Sequence, residues 1–162
     1  MPHDCAVDTN VLVTANEEAP QASPCCVLAS IQRLREIRDE ARVVIDSLGE
    51  IFAEYRQYCV GSGQPGAGDA FFKWVWDNQA NPVHVVVAPL TRHGDRGYAE
   101  FPEDEGLAGF DFNDRKFVAC LVAIGSSGPL INAVDSDYSM FATELHSRGI
   151  IVDELCLNSG SD

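Results

Sequence analysis

Cys5-Ala6-Val7-Asp8-Thr9-Asn10-Val11-Leu12 opens the chain with a short apolar run that breaks on an aspartate. Residues 5–8 read as a brief buried strand, with Asp8 at its carboxyl end. The same grammar returns in Leu130 to Val134, a second strand followed by Asp135-Ser136-Asp137. Between these two points strand-like and helix-like segments alternate, which predicts a mostly parallel sheet covered on both faces.

The intervening segments follow from spacing and punctuation. Ser23-Pro24 offers an N-cap and a first-turn proline, and Val27, Leu28, Ile31, Leu34 and Ile37 recur at helical spacing. Arg42 to Asp46 is a compact apolar strand. Ser47-Leu-Gly-Glu50 has the form of a capping box, opening a helix with Leu48, Ile51, Phe52 and Tyr55 as its stripe. Residues 60–68 are glycine-rich and read as a loop. Asp69 to Asn78 reads as a helix, Val83 to Pro89 as a strand, and 91–113 as a long irregular stretch. Asp114 to Ile124 reads as a helix, Ser139 to Ser147 as another ending near Gly149, and Ile150 to Val152 as a last strand. Residues 158–162 read as a frayed tail.

Composition bounds the class. With 162 residues, 46% hydrophobic and 22% charged, the chain is expected to bury one core. No apolar run reaches the roughly 20 residues of a membrane span, and the acidic N-terminus does not read as a signal peptide. The six cysteines (Cys5, Cys25, Cys26, Cys59, Cys120 and Cys156) lack C-x-x-C spacing and sit mostly in apolar runs. They read as reduced, buried and non-zinc, in a cytoplasmic protein. The net charge of −14 argues against a broad basic surface for nonspecific nucleic-acid binding, although a carboxylate cluster built for cations contributes to that charge.

Four acids fall at element ends. Asp8 and Asp135 close two strands, and in a parallel sheet such ends line one edge, where ligands bind. Asp114 heads a helix whose Phe117, Val118, Leu121 and Val122 lie on the same face, so its carboxylate points inward and needs a partner. Glu54 flanks the buried stripe of its helix, whereas Glu50 lies closer to water. Each acid also has a plainer reading. Asp8 and Asp137 cap the helices they precede, Asp114 complements a helix dipole, and Glu54 is a solvated face residue. Oxygen ligands of this kind suit Mg²⁺ or Mn²⁺. No P-loop, dinucleotide fingerprint or serine elbow competes with them.

In this order the residues resemble the PIN domain family. Val7-Asp8-Thr9-Asn10-Val11-Leu12 is similar to its first motif. Glu54-Tyr55 matches its second acid, and Phe110 to Ala119 its third motif, with Asp114 as the acid. Val134-Asp135-Ser136-Asp137-Tyr138 is similar to the fourth. The motifs span most of the chain, implying a single PIN-like domain over 1–157, with 61–109 longer than a minimal member needs. The resemblance implies a three-layer α/β/α sandwich with a central mostly parallel sheet. It also implies an Mg²⁺- or Mn²⁺-dependent endoribonuclease cutting single-stranded RNA with activated water.

On that resemblance Asp8, Glu54, Asp114 and Asp135 are the expected catalytic metal ligands, supported by Asp137. Thr9, Asn10, Arg115 and Lys116 are expected at the substrate. Arg92, Arg96 and His93 in the irregular stretch, and the aromatics Trp74, Trp76 and Phe101, are weaker candidates for RNA contacts. The family also implies an antitoxin or other protein partner, a homodimer, and members that act only as binding modules. An aspartyl-phosphate enzyme using Asp8 is a third class, disfavoured by Asn10 where a second aspartate belongs.

Overall fold

The computed structural model describes residues 3–156, so the predicted tail at 158–162 lies outside the described residues. In chain order the strands are β1 (Asp4–Val7), β2 (Arg42–Asp46), β3 (Val85–Ala88), β4 (Arg92–His93), β5 (Gly97–Tyr98), β6 (Leu130–Asn132) and β7 (Val152–Glu154). The helices are α1 (Thr9–Ala15), α2 (Pro24–Glu40), α3 (Glu50–Tyr58), α4 (Ala67–Asp77), α5 (Arg115–Ala123), α6 (Asp137–Met140) and α7 (Ala142–Ser147).

Strands β4 and β5 pair as a small antiparallel hairpin, and the other five make one sheet in the order β3-β2-β1-β6-β7, all parallel. Helices α1 to α4 pack on one another while α5 packs on β1 and β2, and the right-handed rule for such crossovers sets the two groups on opposite faces. The result is a three-layer α/β/α sandwich. The central strand β1 is covered from both sides, which is why Cys5, Ala6 and Val7 are apolar without alternation and almost wholly buried. The direction of winding reverses between β1 and β6. Such a reversal leaves a crevice at the carboxyl ends of the two strands.

Local chemistry explains most element starts. Ser23 Oγ accepts the Cys26 amide at 3.1 Å, and Pro24 begins α2. Leu34 and Ile37 from its predicted stripe are buried, but Leu28 is 55% exposed among the described residues. The start of α3 differs from the expected capping box. Gly49 is its N-cap, in a left-handed conformation (φ 77°) that glycine adopts without penalty. The cap comes from Asp46, whose carboxylate accepts the amides of Leu48, Glu50 and Ile51 at 2.8–3.0 Å.

Other boundaries move by a residue or two. The helix expected over 139–147 is two short helices meeting at Phe141. The last strand pairs through Val152–Glu154 rather than 150–152, since Gly149 (φ 82°) turns the chain and Ile150 packs into the core first. The stretch 61–109 holds α4 and β3, which are parts of the main layers, along with the hairpin.

The cysteine reading needs correction. Cys26 and Cys156 form a disulfide, with their Cα atoms 4.9 Å apart, and Cys25 is exposed. The sequence hides the pairing because the two residues lie 130 apart and only the fold brings the start of α2 beside the end of β7. Cys5, Cys59 and Cys120 are free and buried, as expected. Among the described residues, no helix is long and apolar enough to cross a membrane.

Candidate metal centre

The crevice between β1 and β6 is lined with carboxylates. Asp8, directly after β1, is 4% exposed. Its Oδ1 accepts the Asn10 amide at 2.9 Å, so the capping role is real, while its Oδ2 accepts the hydroxyl of buried Tyr138 at 2.6 Å. Asp135 follows β6 and accepts the Asp137 amide at 2.9 Å. Glu54, on α3, accepts from the Thr9 hydroxyl and sits 3.3 Å from the ammonium of Lys116.

A paired amide clamp fixes the two strand ends. Asn10 Nδ2 donates to Asn132 Oδ1 at 2.8 Å, and Asn10 Oδ1 accepts the Ala133 amide at 2.8 Å. Asn132 Nδ2 in turn donates to the carbonyl of Asp135 (2.7 Å) and to Glu154 Oε2 on β7 (2.6 Å). Each strand end is thereby tied to its neighbour, and the carboxylates they carry are held at fixed separation. Thr9 and Asn10, expected at the substrate, line the crevice but use their side chains for this framework.

Asp114 sits at the end of a 3-10 turn, Phe112–Asp114, immediately before α5. It points inward as expected and is 8% exposed. Its side chain makes no cap to α5, and its Oδ2 is buried without a hydrogen-bond partner. A buried oxygen left in this state costs about 1–3 kcal/mol. Asp111 and Asp137 face it, and the three residues offer oxygens that all lie within 4.8 Å of one another. Asp114 thus belongs to two groups of acids, one with Asp8 and Asp135 and one with Asp111 and Asp137.

The electrostatics follow from that crowding. Burial raises the Asp114 pKa to about 9, and the charges of Asp8, Asp135 and Asp111 push the same way. Asp8 is raised to about 6, chiefly by burial, against the lowering effect of its bonds from Asn10 and Tyr138. Asp137 is also raised, by desolvation and by Asp135 and Asp111. Lys116 is the cation placed beside these acids; it also donates to the Asn113 carbonyl. The site carries more negative potential than its own residues neutralise, and the chemistry of its donors suits a hard divalent cation.

Of the two bases expected at the substrate, Lys116 is buried beside Glu54, and Arg115 does not face the crevice. It is 7% exposed, and its guanidinium donates to the carbonyls of Arg96, Ala108 and Phe110 while stacking on Phe101 at 4.6 Å. It pins the irregular 91–113 stretch to the body of the protein. The consecutive bases therefore separate, because neighbouring positions on a helix point about 100° apart. Phe101 is buried under this clamp, and Trp74 packs against Phe71 and His84. Trp76 is 42% exposed beneath Arg56, on α4. Arg92 pairs with Glu50, Arg96 with Glu103, and His93 lies on the exposed hairpin.

Asp111, Asn132, Tyr138 and Glu154 complete the centre and were not singled out as ligands or positioning groups from sequence. Asp111 carried a signal, lying three residues before Asp114. Glu154 carried none, since only strand pairing brings it to Asn132. An open cleft of about 540 Å³ leads outward from Asp8, Glu54 and Asp135 past Val13, Glu18, Pro20, Gln21 and Tyr58. No family model, curated protein or solved structure matches this chain.

Proposed function

We propose that the protein is a divalent-metal-dependent phosphodiester hydrolase acting on single-stranded RNA. The observation that carries this reading is the buried, unpartnered Oδ2 of Asp114, set among acids at the sheet's crossover crevice. Asp8, Asp114 and Asp135 would hold Mg²⁺ or Mn²⁺ together with Asp111 and Asp137, whose oxygens converge with those of Asp114, and Glu54 flanks the group from α3. Such an ion supplies an activated water and stabilises charge developing on a phosphodiester.

The chain's own residues have defined parts in this scheme. Tyr138 and the Asn10 amide orient Asp8, leaving its carboxylate aimed into the crevice. The Asn10–Asn132 clamp sets the separation of Asp8 from Asp135. Glu54, freed from its bond to Thr9, is placed to accept a proton from an attacking water, and Lys116 beside it offsets charge on a phosphate. The acids also explain how so anionic a protein holds an anionic substrate. The attraction is concentrated at the bound cation rather than spread over a basic face.

Single-stranded RNA is abundant in the cytoplasm, which supports that location, and the Cys26–Cys156 bond is the feature that weighs against so reducing a setting. The test is cleavage of labelled single-stranded RNAs and DNAs with Mn²⁺, Mg²⁺ or EDTA, with Asp114→Asn alongside. Metal-dependent cleavage lost in the variant supports the reading. Cleavage that persists in EDTA or in Asp114→Asn sinks it, and no cleavage with any metal turns attention to a module working through a protein partner such as an antitoxin.

A further inference from the structure

The cleft that leaves the carboxylates does not end in basic residues, as a path for a phosphate backbone would. Besides the acids it is lined by Val13, Pro20 and Tyr58, with Glu18 and Gln21, both exposed, among them. Tyr58 lies one helical turn beyond Glu54 on α3, so the two side chains share a face and sit roughly 5–6 Å apart at Cβ. Its ring is 50% exposed and, among the described residues, makes no hydrogen bond or ring contact. The other large aromatics near the centre are engaged: Tyr55 bonds the Val7 carbonyl, and Tyr138 bonds Asp8. Glu18 follows Glu17, which holds a left-handed backbone (φ 61°), an unusual conformation for a non-glycine residue and one found preferentially near functional sites.

Building on the hydrolase reading, we propose that the part of this cleft beside Tyr58 is a subsite for one unpaired nucleobase, stacked on Tyr58 and read along its edge by Glu18 and Gln21. Charge fixes the orientation. Glu18 repels a phosphate but accepts hydrogen bonds from a base, so the phosphate belongs at the other end, where a cation would offset the acids, and the base at Tyr58. Spacing agrees, because one helical turn separates the two functions. A carboxylate accepts from exocyclic amino groups, which adenine, cytosine and guanine carry. Uracil has no exocyclic amino group and offers Glu18 only its N3–H, flanked by two carbonyl oxygens that the carboxylate repels. The subsite therefore favours amino-bearing bases over uracil, and single strands over duplexes, whose bases are not free to stack.

The test compares Mn²⁺-dependent cleavage of labelled oligo(A), oligo(C) and oligo(U) by the full chain and its variants. Tyr58→Ala is expected to raise KM roughly tenfold, within the range of lost base stacking, with a smaller change in kcat. Tyr58→Phe, which keeps the ring, is expected to restore the KM. Glu18→Ala is expected to narrow the preference for oligo(A) and oligo(C) over oligo(U). Calorimetry with Mn²⁺ alone checks that Tyr58→Ala binds the ion like wild type. Metal-dependent cleavage with an unchanged KM in Tyr58→Ala overturns the subsite and leaves the hydrolase reading standing. A wild-type protein that neither binds nor cuts any single strand overturns both.

Discussion

Tyr138 donates its phenolic hydroxyl to Asp8 at 2.6 Å, joining a residue of α6 to the end of β1 across 130 positions of sequence. Both groups are buried, so this bond is what keeps one oxygen of Asp8 satisfied while the other caps α1. Removing the hydroxyl in Tyr138→Phe leaves the ring's packing and takes away only the donor. Asp8 then becomes a weaker acid than it already is, because the lost bond had favoured its charged form. Mn²⁺ affinity by calorimetry is expected to fall about tenfold, as it does when the hydrogen-bond partner of a ligand is removed.

Asp114→Asn tests the other buried acid. The amide is close in size to the carboxyl and takes up no proton on folding, so at neutral pH the metal-free variant is expected to melt higher than wild type. Each kcal/mol relieved corresponds to about 2–4 °C in a domain of this size. Added Mn²⁺ is expected to stabilise the wild type and to do little for the variant. A variant that melts lower, or that responds to Mn²⁺ as wild type does, would contradict the placement of Asp114 at the centre.

The pH dependence follows with a definite sign. Asp114 titrates near 9 in the folded chain against an ordinary 3.8, so between those values the folded state holds a proton that the unfolded chain has released. Stability from this group therefore falls as pH rises from about 4 towards 9 and is level above it. Asp8 adds a smaller fall ending near pH 6. Urea unfolding of metal-free protein is expected to show Asp114→Asn gaining on wild type steadily across that range. Metal uptake at pH 7 must expel the Asp114 proton, so calorimetry in buffers of different ionisation heat should detect about one proton released per ion.

Arg115→Met removes the clamp on the irregular stretch while keeping an apolar stem. Several buried carbonyls lose their donor, and a loss of about 2–4 kcal/mol is expected in urea unfolding. Amide exchange is expected to quicken across 96–110 and to leave β1 and β6 unchanged. Arg115→Lys is expected to recover little, since one ammonium does not span carbonyls at Arg96, Ala108 and Phe110.

Asp46→Ala uncaps α3, with a predicted loss of about 1–2 kcal/mol. Because α3 carries Glu54 and Tyr58, the substitution is expected to weaken cleavage without touching the acids at β1 and β6. Asp46→Asn, which still accepts through its amide oxygen, should fall between the two.

Much of this arrangement was readable before folding. Apolar runs that break on Asp8 and Asp135 announced two strand ends, and parallel topology made them neighbours. Asp114 was placed inward by its spacing from Phe117 and Leu121. What escaped reading depends on contacts distant in sequence. Arg115 and Lys116 look equivalent as a dipeptide, and only the path of 96–110 decides that one is a buried clamp. The cap on α3 was misassigned because Ser47 and Glu50 fit a local pattern, while the strand-end Asp46 reaches further. Glu154 and the Cys26–Cys156 pair become visible only once β7 is laid beside β6.

The disulfide has a consequence for how the chain breaks. Cys26 and Cys156 enclose four of the sheet's five strands, β1 lying before them, and also the exposed hairpin at Arg92–Tyr98. A protease that cuts the hairpin divides the backbone without releasing a fragment. The two pieces remain one covalent molecule, migrating together until a reductant separates them.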